Sequence, residues 1–313
     1  MARERVMIRH CVDAFVRQKH ALGFKYRVQS SLLRNYAAFA HARGDTYIVV
    51  DTVLEWSREA PSAAQKRNRF LTVRRLAVAL QADNPLHQIP PADAFGGATH
   101  RRRKPHIYSE EELNTLRQTA LNMTPAGSVR PLTFQTLITL LWVSGLRTSE
   151  ALALDVDDIT VDGLLIRATK FRKNRLVPIH STTRSALDCY LSSSERTSIS
   201  KDKAVFVSML GTRLSYRAAY EGFLQTMRNA GLRENPGVPG PCLHDLRHSF
   251  AIRSLELCPA SSGAQTVQRH MVALSTYLGH AHITDTYWYL EATPALTRTI
   301  AIMTEAWHNE VLS

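Results

Sequence analysis

Four cysteines in 313 residues, Cys11, Cys189, Cys242 and Cys258, are too scattered to staple a fold. None stands in a Cys-x-x-Cys pair, which disfavours a zinc knuckle or a disulfide framework and fits a reducing compartment. Long apolar runs are missing as well. The most apolar stretch, Leu137 to Val143, falls far short of the roughly 20 residues that span a bilayer. The charged start, Met-Ala-Arg-Glu-Arg, is followed by no secretory apolar region. Together these absences point to the cytoplasm. Acidic residues are also scarce: 27 Asp and Glu stand against 39 Lys and Arg, a net charge of +12. Such a surplus favours a polyanionic partner, nucleic acid before an anionic membrane surface.

What is present suits two domains. The apolar fraction of 44% is that of a globular protein, and the length allows about two cores. Residues 3–22 read as a helix, with Val6, Cys11, Phe15 and Leu22 near helical spacing and Gly23 as a stop. Residues 28–43 read as a second, ended by Gly44. Val49 to Trp56 is a short third, with Asp51 as a candidate N-cap. Pro61 opens a fourth that runs to about Ala82. In that helix Lys66, Arg67, Arg69, Arg74 and Arg75 alternate with Phe70, Leu71, Leu76, Val78 and Leu80, and no acidic residue intervenes. A solvated charged face is one reading; a helix laid against DNA phosphates is the other.

Residues 83–107 break the helical pattern with Asn84-Pro85, Pro90-Pro91 and Gly96-Gly97. The run Arg101-Arg102-Arg103-Lys104 is either a solvated tail or a segment that tracks a DNA backbone. A domain boundary belongs here: 1–95 as a helical domain, 96–105 as a basic linker and 106–313 as a second domain.

In the second domain Ser109-Glu-Glu-Glu112 is a capping-box pattern. Pro131 suits the first position of the next helix, which buries Phe134, Leu137, Ile138 and Leu141 and ends at Ser144-Gly145. Arg147 comes at once after it, either paired to Glu150 one turn on or offered to a phosphate. Ile159–Val161 and Leu164–Ile166 read as a hairpin about Asp162-Gly163. Arg175 to Ile179 adds a third, edge strand marked by Pro178. The basic turn between them carries Lys170, Arg172 and Lys173. Helices are expected over Thr182–Ser193 and Ser215–Ala230, with a polar loop from Ser192 to Lys203. In Leu243-His244-Asp-Leu-Arg247-His248, His244 and Arg247 share a helical face, and Asp245 and His248 sit elsewhere on the turn. Near the C-terminus, Tyr277 to Leu290 holds three tyrosines and two histidines, with Tyr289 nine residues after His280. Taken alone that cluster reads as core packing. A phenol, with a reference pKa of about 10, becomes a nucleophile only when cations and hydrogen bonds are brought to it.

Arg147, Lys170, His244, Arg247, His280 and Tyr289 supply the cations, proton carriers and nucleophile for attack on a phosphodiester. In Ser-Gly-Leu-Arg147-Thr-Ser-Glu150, Thr-Lys170-x-x-Lys-x-Arg-x-Val-Pro178, His244-x-x-Arg247-His-Ser-Phe and Leu-Gly-His280, with Tyr289 beyond, the chain resembles the tyrosine recombinase (phage integrase) family. The resemblance covers residues 106–290 directly. It implies a mainly α fold with a small three-stranded antiparallel sheet: a helical, SAM-like core-binding domain followed by a DNA breaking-rejoining catalytic domain. It further implies that Arg147 and Arg247 clamp the scissile phosphate, with Lys170 as acid to the leaving 5′-oxygen. His244 would assist proton transfer, His280 would hydrogen-bond the phosphate, and Tyr289 would form a 3′-phosphotyrosyl intermediate. Glu150 would brace the site. No metal or cofactor is implied. Both domains would clamp duplex DNA, and a tetramer would work through a Holliday junction, for integration or transposition of a mobile element.

One departure stands out. Residues Arg253 to Val272 form a longer, more polar segment than the resemblance calls for, with Cys258 to Gly263 as an inserted loop. A final helix is expected over 294–311, docked on a neighbouring subunit or on its own domain. Three rival functions share parts of the inventory: a type IB topoisomerase-like enzyme, a non-catalytic integrase-like DNA-binding accessory, and a metal-dependent transposase using Asp155, Asp157 and Asp158. The intact set of six residues argues against the second. The aspartates lead into the hairpin, which argues against the third.

Overall fold

The computed structural model describes residues 8–96, 104–167, 174–234, 240–257 and 263–280, together with 282, 285, 286 and 289. The chain divides into two compact units, Met1–Arg102 and Arg103–Ser313. Among the described residues the fold is mainly helical with one small antiparallel sheet, as expected.

The first unit is four helices: α1 (Ile8–Ala21), α2 (Arg27–Ala42), α3 (Val50–Arg58) and α4 (Ala63–Asp83). Their apolar faces close around Val12, Leu33, Tyr36, Trp56, Phe70 and Leu76. The Trp56 indole N–H donates to Asn35 Oδ1 at 2.8 Å, which satisfies its buried polar tip. Two helix starts differ from expectation. Val49, with no side-chain oxygen, caps α3, and Asp51 lies inside its first turn, where a carboxylate favours the helix dipole instead. Ser62 caps α4 through Gln65 N, so Pro61 precedes the cap. Val78, counted with the apolar set of α4, is exposed.

In the second unit α5 (Glu110–Leu121) starts on the expected capping box. Helix α6 (Val129–Ser144) is buried along most of its length. Ser128 caps it, which makes Pro131 its third residue rather than its first. Gly145 ends it in the left-handed conformation (φ 58°), where a glycine carries no Cβ penalty. Helix α7 (Thr148–Ala153) leads through a single turn at Val156–Asp158 into β1 (Ile159–Thr160), β2 (Gly163–Ile166) and β3 (Arg175–Val177), in the order β1-β2-β3. The hairpin turn is Val161-Asp162, because Gly163 already pairs with Thr160. Gly163 belongs in the strand for a steric reason: a Cβ there would lie 2.4 Å from the Val177 carbonyl of β3.

After β3 come α8 (Ser181–Ser192), α9 (Ser194–Thr197), α10 (Tyr216–Asn229), α11 (Leu243–Glu256) and α12 (Gly263–Leu278). The expected polar loop from Ser192 thus contains a helical turn. Its Arg196 is buried and donates to the carbonyls of Ala204 (2.7 Å) and Val205 (3.2 Å). A guanidinium with five donors can satisfy backbone carbonyls that a simple loop would leave open. Helices α5, α8 and α11 all pack on α6. A smaller apolar cluster joins α11 to α12 through Ile252, Leu255, Met271, Leu274 and Leu278, and it includes Tyr289. No described helix is long and apolar enough to cross a membrane. The expected helix over 294–311 and the Cys258–Pro-Ala-Ser-Ser262 segment lie outside the described residues.

Candidate active site

The site forms where the end of α6, the start of α7, strand β3, α11 and the end of α12 meet. Sequence dictates the entry at α6. The left-handed Gly145 turns the chain, and any Cβ there would strike the Phe250 ring of α11 at 2.4 Å. That close approach sets Arg147 at the start of α7. Its Nη1 donates to Glu150 Oε1 at 2.8 Å, and its backbone N–H donates to Oε2 at 3.0 Å. Of the two readings of Arg147 from the sequence, the pairing to Glu150 within one turn is present. Glu150 also receives a second guanidinium: Arg175 of β3 donates to both carboxylate oxygens, at 2.9 and 2.7 Å. Burial works to raise the Glu150 carboxyl, but the bonds and charges of Arg175 and Arg147 outweigh it and hold it at about 2.

Three arginines then grip three consecutive carbonyls at the end of α12. Arg175 Nε donates to Tyr277 O (3.0 Å), Arg247 Nη2 to Leu278 O (2.7 Å) and Arg147 Nη2 to Gly279 O (3.0 Å). The last carbonyls of a helix have no internal partners and carry its negative dipole end, so guanidiniums suit them twice over. Arg247 is only 2% exposed, and its Nη1 also donates to Gly145 O at 2.7 Å. It therefore ties the end of α6 to the end of α12. Burial, then the nearby Arg147 charge, lower Arg247 to about 10.

The grip positions the residues just beyond α12. His280 is half-buried, and its Nδ1 lies 2.7 Å from the hydroxyl of the fully buried Thr286. Burial, then Arg247 and Arg147, lower its imidazole to about 4. Tyr289 is 2% exposed. Its ring lies nearly parallel to His280, with centroids 6.1 Å apart. Its hydroxyl meets His248 Nδ1 at 3.3 Å and hydrogen-bonds the Arg247 guanidinium. Burial pushes the phenol up, and the arginines pull the other way. His244 is exposed, and its ring meets His248 edge to face at 4.5 Å. Protein packed on its inner side and the Arg247 charge lower its imidazole.

Among the described residues the carboxylates of Glu150, Asp285 and, beside His244, Asp245 act on this cluster, against the guanidiniums of Arg147, Arg175 and Arg247. Positive charge is left in excess, and Arg147 and Arg247 repel one another. Guanidiniums so placed have the charge and planar donor geometry that suit an anion. No group of three or more potential metal ligands occurs among the described residues.

Of the residues singled out from the sequence, Arg147, Arg247, His280 and Tyr289 converge here, with His244 at the rim. Lys170, Arg172 and Lys173 lie outside the described residues, as do Arg101, Arg102 and Arg103. Lys104 is exposed. The cations of α4 divide. Arg69 stacks on the Trp56 ring (5.0 Å) and donates to Trp56 O, Arg74 donates to Pro90 O, and Arg67 donates to Gly96 O. Lys66 is half-buried, and Arg75 is exposed. Three residues carry more than sequence reasoning assigns them. Arg175, read from the sequence as the start of the third strand, is a half-buried partner of Glu150, and no local pattern signals that. Thr286 likewise gives no signal. From the sequence His248 is set elsewhere on the turn from His244 and Arg247, yet it lies beside His244 and meets Tyr289; its i+4 relation to His244 is the clue that could have found it.

The model of the phage integrase family matches residues 108–295. A putative integrase/recombinase of Sinorhizobium fredii, y4rB, is 36% identical over 300 residues, covering 93% of this chain and 94% of that protein. Tyrosine recombinase XerD of Mycobacterium tuberculosis is 30% identical over 246 residues, 77% of this chain and 74% of that protein. Among solved structures, XerH site-specific recombinase in a post-cleavage complex with its palindromic difH substrate is similar in fold. Its TM-score is 0.65 at 20% identity, with 96% of this chain and 84% of that one covered.

Proposed function

The chain belongs to the phage integrase family, the tyrosine recombinases, and from that premise we propose a site-specific recombinase that cuts and rejoins duplex DNA through Tyr289. The carrying observation is the contact of a buried phenol with Arg247 beside a second phosphate-competent guanidinium, Arg147. In this reading the scissile phosphate enters between Arg147 and Arg247. Their planar forks match its non-bridging oxygens and stabilise the charge that develops as the phenol attacks. His280 donates to the same phosphate. Lys170 protonates the leaving 5′-oxygen, and His244 assists proton transfer. The product is a 3′-phosphotyrosyl link, which a 5′-hydroxyl of another strand later displaces. Glu150 keeps the arginines apart and aligned.

The reaction serves integration or transposition of a mobile element. The exposed Arg75 and the basic stretch 101–104, with Lys66, Arg172 and Lys173, hold the DNA backbone. Each chain offers one Tyr289, and exchange between two duplexes requires four strands to be cut, so four chains assemble on the DNA.

The test is a nicked suicide duplex carrying the element's ends, then denaturing electrophoresis. Wild type is expected to give a covalent protein–DNA band and Tyr289→Phe none. A band that persists in Tyr289→Phe and disappears in Tyr287→Phe would reassign the nucleophile.

A further inference from the structure

We infer that His248 is the group that takes the phenolic proton of Tyr289 as its oxygen attacks phosphorus. The inference rests on the reading of Tyr289 as nucleophile. A side chain only 2% exposed cannot hand its proton directly to bulk water. The groups that meet the hydroxyl differ in what they can do. Arg247 has donors only and cannot accept a proton. His248 presents a ring nitrogen, Nδ1, at 3.3 Å. A neutral imidazole with its hydrogen on Nε2 accepts there. His280 lies against the face of the Tyr289 ring, and its Nδ1 is engaged by Thr286.

Position reinforces chemistry. His248 comes directly after Arg247 on α11, and Arg247 is anchored at both ends of its fork to the carbonyls of Gly145 and Leu278. The phosphate clamp and the proton acceptor are thus set on one rigid turn. His248 is half-buried and in turn meets the ring of the exposed His244 edge to face, which gives the acceptor a neighbour at the solvent edge. The 3.3 Å contact is long for a proton transfer, and such contacts shorten once substrate is bound.

The step balances. The Oη–phosphorus bond forms as the phosphorus–O5′ bond breaks. The Oη proton passes to His248 Nδ1, and the leaving O5′ receives its own proton from Lys170. In rejoining, a 5′-hydroxyl attacks phosphorus, Tyr289 leaves, and the His248 imidazolium returns the proton.

Single-turnover cleavage of the nicked suicide duplex tests this with His248→Gln and His248→Ala. DNA affinity, measured alongside, reports folding. His248→Gln keeps a hydrogen-bonding side chain but carries no proton, and it is expected to slow adduct formation about 100-fold at unchanged affinity. Two chemical probes separate the roles. A substrate with sulfur at the bridging 5′ position leaves without protonation; it is expected to rescue Lys170→Ala and not His248→Gln. A fluorinated tyrosine at position 289, whose phenol is more acidic, is expected to narrow the His248→Gln deficit to less than about tenfold, since a more acidic phenol depends less on a base. A normal rate in His248→Gln, an equal deficit with the fluorinated tyrosine, or rescue by sulfur would each overturn the assignment. Absence of any adduct in wild type would instead overturn the nucleophile reading beneath it.

Discussion

His280 shows how much one residue's behaviour depends on its neighbours. Its imidazole sits at about 4, lowered first by burial and then by Arg247 and Arg147, so it is neutral in the free protein near pH 7. The folded value lies below the unfolded one, about 6.5. The stability that neutral His280 contributes is therefore complete above that unfolded value and is lost as pH falls through about 4. A bound phosphate reverses the local field, because an anion favours the charged imidazolium. NMR titration of the His280 ring should give a midpoint near 4 in the free protein and a higher one with DNA bound. An unchanged midpoint on binding would mean that no phosphate approaches His280.

At the scale of the element, α4 and α12 show that a basic stretch is not one thing. On α4, Arg69 is stacked on Trp56 and bonded to its carbonyl, whereas Arg75 is exposed. Arg69→Ala should lower the stability of the first unit by about 1 kcal/mol, the scale of a cation–π contact plus a hydrogen bond. Arg75→Ala should leave stability within about 0.5 kcal/mol. It should weaken DNA binding at every sequence and reduce the salt slope by about one. Chemical denaturation and binding titrations across salt concentrations measure both. The reverse pattern would mean that the proposed DNA face is structural. At the end of α12 the arginines do two jobs. They satisfy the carbonyls of its last two residues, Tyr277 and Leu278, and of Gly279 just beyond, and form the candidate phosphate clamp, so the segment bearing His280 and Tyr289 is placed by the groups that would bind the substrate.

For the whole molecule the charge of +12 and the single proposed nucleophile per chain set the expectations. Mass measurement of the assembly on paired DNA ends should find four chains on two duplexes. A complex of two chains that completes exchange would refute the stoichiometry argument. The excess of positive charge also predicts steep salt dependence of binding, since each neutralised phosphate releases counterions.

Local sequence specifies most of the elements and all of the chemistry on hand. Capping boxes, glycine stops and apolar spacing are local signals; Ser109 to Glu112 and Gly145 behave as their neighbours dictate. The ordered motifs likewise announce an inventory of arginines, histidines and a tyrosine, because residue type is chemistry. Local rules faltered by single residues where the partner is distant. The hairpin turn is Val161-Asp162, and Gly163 sits in the strand, where β3 leaves no room for a Cβ. Which side chains face one another follows from the packing of distant elements. Arg175 reaches Glu150 across 25 positions, and Arg247 reaches Leu278 across 31. His248 meets Tyr289 across 41. Those meetings arise from packing α11 against α6 and α12, with β3 reaching the end of α12 through Arg175, and contacts that distant in the chain leave no period or spacing in the sequence to read.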